Sequence, residues 1–270
     1  MLSLNYKETL NATIQVLKSN NVPMIWGPPG AGKSSIAYDA KVLGLSGVYA
    51  IDCSIYTPSD FVTKIPDEKT GIMKEFSIGV PEDHLILLDD ISMAEPFQQS
   101  VFLKMVFERR IGCKKLEQPI ILTGNRPDDL AGASDLLSNV KNRLVHLELK
   151  PDTECWLSWA EKNDIDYRIL SFLKASPQFL FEPPSPNVSS WATPRTWSIL
   201  SDCIKNVDDI KMLEILAVST VGTLAGEKFL LHVKHKIKFD PVEALEKGRL
   251  VLENEEGEMD SIRLYDRVIS

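Results

Sequence analysis

Over the first 150 residues, short apolar runs alternate with stripes of helical period. Leu10, Ile14 and Leu17 mark a helix, and Val22–Trp26 follows as a short buried strand. Ile36, Ala37, Ala40 and Leu43 mark a second helix, followed by a strand over Val48–Ile51. Leu85–Leu88 is an uninterrupted apolar run that ends on two aspartates. Phe97–Arg109 is helical in pattern, and Ile120–Thr123 and Leu144–Leu149 complete a set of five strands. Strands separated by helices predict parallel βαβ units in an α/β domain, with both faces of the sheet covered.

After Lys150 the pattern becomes helical. Asp152 or Thr153 caps a helix carrying Trp156, Trp159 and Ala160, and Tyr167–Lys174 forms the next one. A proline-rich loop lies at Pro183–Pro186, and Thr193-Pro194 reads as an N-cap followed by proline in the first turn. Leu213, Leu216 and Ala217 mark a further helix, and Phe229–Ile237 the last. The expected organisation is an α/β domain over 1–150, a smaller all-helical lid over 151–238, and a C-terminal extension over 239–270. That extension holds nine acidic residues against four basic ones.

Composition narrows the functional classes. With 44% hydrophobic and 25% charged residues the chain has ordinary globular values, and 270 residues can bury a core without disulfides. A net charge of −8 argues against a general nucleic-acid coat. The longest uncharged run, Ser19–Gly32, is too short and too rich in glycine and proline to span a membrane. Lys7 and Glu8 interrupt the stretch that a signal peptide would keep apolar, so a cytoplasmic location is expected. Cys53, Cys113, Cys155 and Cys203 lie far apart and read as scattered reduced thiols. His84, His146, His232 and His235 make no metal spacing.

The chemistry concentrates in Gly27-Pro28-Pro29-Gly30-Ala31-Gly32-Lys33-Ser34, which fits GxxxxGK(S/T) at every fixed position between a strand and a helix. Glycines let backbone N–H groups close around phosphate oxygens, and the helix N-terminus adds its dipole. Lys33 is placed to reach the β- and γ-phosphates of ATP, and the Ser34 hydroxyl to bind Mg²⁺. Asp89, ending a buried strand, is expected beside the phosphates, holding Mg²⁺ through its water shell. Asp90 is then placed to polarise an attacking water.

Taken together, these segments resemble the AAA+ ATPases, and within them the MoxR-like branch, over roughly residues 20–200. The resemblance is carried by Trp26–Ser34, Leu85–Asp90, Glu108-Arg109-Arg110-Ile111-Gly112, Thr123-Gly124-Asn125-Arg126, Lys141-Asn142-Arg143-Leu144 and Thr193-Pro194-Arg195. It implies a Mg²⁺-dependent ATPase that works as a homo-oligomeric ring, usually a hexamer, and remodels a partner protein. MoxR-like ATPases are typically paired with a partner bearing a von Willebrand factor A domain. The resemblance makes Asn125 the sensor-1 residue and Arg195 the sensor-2 arginine of the lid, facing the γ-phosphate of its own subunit. It makes Arg143 the arginine finger completing a neighbour's site; the alternative is an arginine paired with Glu148 or Asp135.

One departure stands out, because most AAA+ proteins carry Asp-Glu where this chain has Asp89-Asp90. The missing methylene brings the rate of hydrolysis into question and keeps a slow-turnover, nucleotide-gated scaffold as an alternative. A nucleic-acid machine is the less favoured reading, since no basic face or appended helix-turn-helix is visible. Asp67–Gly71 reads as a hairpin turn, with Ile65, Ile72, Met73 and Phe76 expected to pack on the domain rather than grip a substrate chain.

Overall fold

The computed structural model describes residues 2–40, 44–57, 60–67, 70–77, 79–112, 114–129, 136, 141–185, 188–237, 249–253 and 259–263. Leu43, Glu68, Lys69, Cys113, Asp135 and Pro186, which figured in the sequence reading, lie outside the described residues. In chain order the α/β part runs β1 (Ser3–Leu4), α1 (Tyr6–Lys18), β2 (Pro23–Trp26), α2 (Lys33–Ala40) and β3 (Gly47–Asp52). It continues through β4 (Val62–Pro66), β5 (Met73–Ser77), β6 (His84–Asp89), α3 (Pro96–Glu108), β7 (Arg110–Ile111), β8 (Lys114–Lys115), β9 (Ile120–Gly124) and β10 (Val145–Leu149).

Six of these strands form one parallel sheet in the order β1-β10-β2-β9-β6-β3. The five expected strands are all present. The sixth is the two-residue β1, whose Ser3 and Leu4 register with Glu148 and Leu149. Side chains alternate across the sheet. Leu85 and Leu87 of β6 pack with Leu17, Ile36, Ala37 and Ala40 of α1 and α2. Ile86 and Leu88 face the other way, into a core with Phe102, Leu103 and Val106 of α3. Burial on both faces is why β6 reads as an unbroken apolar run. From central β2 the chain moves out to β3, returns through β6 and β9, and then crosses to β10. That reversal opens a crevice at the carboxyl edge beside β2, the usual ligand position in open α/β sheets.

The later helices are α4 (Thr153–Ala160), α5 (Tyr167–Ala175), α6 (Pro194–Ile204), α7 (Ile210–Val221) and α8 (Thr223–Ile237). They enclose a separate core in which Phe172, Trp197 and Phe229 meet edge-on or tilted. The Trp197 indole donates to the Phe179 carbonyl at 2.9 Å, so its buried N–H is satisfied. Within the acidic end, β11 (Arg249–Glu253) and β12 (Met259–Arg263) pair antiparallel.

The hairpin expected around Asp67–Gly71 is present as β4 paired with β5. Ile65, Ile72 and Met73 do not pack on the domain as expected, being 50%, 67% and 56% exposed, and the Phe76 side chain lies outside the described residues. Pro66 opposes Met73 and Ile65 opposes Lys74 across the ladder, so these residues lie at the turn end of a two-stranded ribbon. Two strands alone offer no second layer to cover them.

Candidate functional site

The loop between β2 and α2 is shaped by its glycines. A Cβ on Gly27 would stand 2.7 Å from the Leu149 carbonyl oxygen, and Gly30 and Gly32 hold φ of +77° and +93°. Only glycine occupies such positions without strain. The loop delivers Lys33 to the first turn of α2, where it is 7% exposed. Its ammonium donates to Asn125 Oδ1 at 2.7 Å and to the Pro28 carbonyl at 3.2 Å. Burial pulls its pKa down, opposed by the charges of Asp90, Asp89 and Asp129, with Arg195 adding to the lowering.

Asp89 closes β6, in register with Asp52 of β3. Both of its carboxylate oxygens accept from the Ser34 hydroxyl at 2.9 Å, and the Thr123 hydroxyl donates to one of them in a short contact. Thr123 in turn accepts the Asp90 backbone N–H at 3.0 Å. A hydroxyl and a carboxylate held together are hard oxygen donors. That suits Mg²⁺, which takes one or two protein oxygens and completes its shell with water and phosphate. The residues present therefore fit the cation.

Asp90 follows in a left-handed conformation, with φ of 50°, one that Asp tolerates better than most residues. Burial raises its pKa; the Lys33 charge opposes this, Asp89 and Asp52 reinforce it, and Arg195 opposes it. Asn125 bridges the two sides of the site. Its amide oxygen takes the Lys33 ammonium, its Nδ2 stands 3.4 Å from Asp90 Oδ1, and its backbone N–H is held by Ser92 Oγ at 2.8 Å. A Cβ on the preceding Gly124 would stand 2.7 Å from the Met24 methyl, which keeps β9 close to β2 here.

These groups open onto a cavity of about 630 Å³ whose lining includes Pro29 to Ser35, Asp90 and Asn125. Arg195, in the first turn of α6, lines the same cavity from the helical side. The lining also includes Trp156 and Trp159 of α4 and a Tyr6–Asp39 pair, in which the phenol donates at 2.8 Å and the Tyr6 ring lies against Gly32 of the loop. Burial, with Asp39 beside it, pushes the Tyr6 phenol pKa up. The cavity thus combines cationic, N–H-rich groups suited to phosphate oxygens with aromatic side chains suited to a flat ring.

The structure brings together Lys33, Ser34, Asp89, Asp90, Asn125 and Arg195, but not Arg143. That residue is exposed, and its guanidinium lies 4.9 Å over the Phe107 ring. Glu148, one of its two alternative partners, pairs instead with Arg126 at 2.7 Å and accepts from Ser3 Oγ at 3.0 Å. Thr123 and the Tyr6–Asp39 pair were missed in the sequence. A threonine just before the expected sensor position was the only available signal for Thr123, and Tyr6 and Asp39 carried none.

No family model matches the sequence, and no curated protein matches it. Solved structures do resemble it at a distance. RuvB of Thermotoga maritima, a Holliday junction branch migration motor, is 14% identical, with a TM-score of 0.44, over 84% of this chain and 67% of that one. An inferred ATPase from Cytophaga hutchinsonii is 15% identical, with a TM-score of 0.44, over 89% of this chain and 88% of that one. NtrX from Brucella abortus is 18% identical with a TM-score of 0.44 over 75% of this chain, which spans only 52% of NtrX. Among the described residues no helix is long and apolar enough to cross a membrane.

Proposed function

We propose that the protein binds ATP with Mg²⁺ and hydrolyses it, as an AAA+ ATPase of the MoxR-like kind. In this reading it works as a homo-oligomeric ring, a hexamer, that remodels or activates a partner bearing a von Willebrand factor A domain. The observation that supports it best is the Lys33–Asn125–Asp90 chain of contacts above the Ser34–Asp89 pair, facing one cavity. Lys33 and the loop's backbone N–H groups take the phosphates, and the aromatic side chains of the lining take the base. Ser34 and Asp89 hold Mg²⁺, which when bound neutralises charge on the phosphates. Asp90 accepts the proton of the attacking water, Asn125 orients that water, and Arg195 meets the γ-phosphate from the lid. Arg143, lying outside the cavity, serves a neighbouring subunit's site.

The test is phosphate release by the purified protein with Mg·ATP, compared with Lys33→Ala. Lys33→Ala should abolish turnover while keeping the fold, since it removes the principal cation facing the transferring phosphoryl group. Unchanged turnover in that variant overturns the site. Tight binding without phosphate release identifies the slow scaffold instead, and sedimentation of the ATP-bound protein tests the ring.

A further inference from the structure

We infer that Thr193 is a positioning residue that seats α6 on the phosphate loop and so fixes where Arg195 stands. The inference rests on the proposed role of Arg195. Thr193 is 3% exposed, and its side chain lies directly against Gly30. A Cβ on Gly30 would stand 2.7 Å from Thr193 Oγ1, 2.9 Å from its Cβ and 3.3 Å from its Cγ2. Gly30 therefore has two reasons to be glycine: its φ of +77° and the threonine pressed against it.

Thr193 cannot turn away from this contact. Its Oγ1 accepts the Thr196 backbone N–H at 3.1 Å, and Thr196 Oγ1 accepts the Thr193 N–H at 2.8 Å, a reciprocal cap on α6. The Thr196 hydroxyl also reaches the Trp191 carbonyl at 3.0 Å. A β-branched side chain held this way keeps one rotamer. Pro194 then fixes the next φ, and Arg195 follows one residue later. Few free torsions separate the Gly30 α-carbon from the Arg195 backbone. A phosphate that reorients the loop at Gly30 carries the start of α6 with it, so the lid arginine follows the state of the loop.

Capping and seating can be separated by substitution. Thr193→Asn keeps a cap of equal quality but does not fit the space against Gly30. Its melting temperature should fall by no more than overpacking costs, about 2–12 °C, while kcat well below the transition falls by up to about 10²-fold for a displacement near 1 Å. Thr193→Val makes the opposite change, with the shape kept and the cap lost: it should melt lower yet turn over normally well below its transition.

The deciding measurement is kcat of Thr193→Asn in an Arg195→Ala background, where no further fall is expected. An undiminished fall there, parental kcat in Thr193→Asn, or a Thr193→Val kcat as low as that of Arg195→Ala overturns the inference. A parent with no ATP turnover, or Arg195→Ala at the parental rate, overturns the reading of the site on which it rests. The two failures are therefore distinguishable.

Discussion

Asn125→Ala separates what this residue does for the fold from what it does for chemistry. In the structure its amide oxygen holds the Lys33 ammonium at 2.7 Å, well within hydrogen-bond length, whereas its Nδ2 stands 3.4 Å from Asp90. The first is a charge-assisted bond worth about 1.5–3 kcal/mol, and the second is too long to count for much. Losing it should lower the melting temperature of the nucleotide-free protein by roughly 3–12 °C, at 2–4 °C per kcal/mol for a chain of this order. Mg·ADP should bind more tightly, not less. To meet the β-phosphate, Lys33 must give up Asn125, and in the variant that bond is already absent. The cavity left by the amide is common to the free and bound states and cancels. The same energy then appears as roughly 10–100-fold in Kd. Turnover should fall, because the water loses its orienting amide. Calorimetric titration with Mg·ADP, thermal melting and single-turnover kinetics read the three signs. Unchanged or weaker Mg·ADP binding would refute the reasoning, because Lys33 would then not exchange Asn125 for phosphate.

Asp90→Asn should slow hydrolysis by about 10²–10⁴-fold while binding persists, as for loss of a general base. Because burial raises the Asp90 pKa above its ordinary 3.8 despite Lys33, the fold favours the neutral acid. Its stabilising contribution is complete below that ordinary value and is lost as pH rises through the raised folded value. The asparagine variant should therefore melt above the parent at pH 7 and lose that advantage below about pH 4; melting curves that differ equally at both pH values would count against this. Arg143→Ala should bind Mg·ADP like the parent and hydrolyse ATP poorly at concentrations where the parent is assembled, with fingers of this kind worth roughly 10³–10⁵ in rate. Mixing it with Lys33→Ala subunits should restore some turnover, and no rescue in confirmed mixed assemblies would place Arg143 outside any shared site.

The central strands were legible because they are buried on both faces. Leu85–Leu88 and Ile120–Thr123 carry their assignment in four consecutive residues, all but the closing threonine apolar. β1 was not legible, since two residues hold no period; what makes Ser3–Leu4 a strand is the free edge of β10 beside it. The loop glycines and the Lys33-Ser34 pair were legible as a motif because one short stretch of chain builds the whole cradle. The contacts that tie the site together were not. Lys33 and Asn125 meet across 92 positions, and Ser34 and Asp89 across 55. Only the adjacency of β2, β9 and β6 in the sheet brings them within reach.

Thr193 marks the boundary between these two cases. Its capping role was visible locally, in Thr193-Pro194 and the pattern that follows. Its contact with Gly30 was not, because it depends on how the helical part sits against the loop. A single side chain thus carries one role written in its immediate neighbours and another written only in the fold. The second is where nucleotide state can pass between the two parts of the chain. A Thr193→Asn change judged from the sequence alone would be scored as a kept cap, while its consequence would be in kcat. The same reasoning separates Arg126 from Arg143. The arginine beside Asn125 is absorbed by Glu148 at the sheet edge, and the one resting on Phe107 is left facing outward. An exposed guanidinium braced by a ring is positioned at little entropic cost for an anionic group supplied from outside the subunit. Within the proposed ring, that is the physical reason the shared-site role falls to Arg143 rather than Arg126.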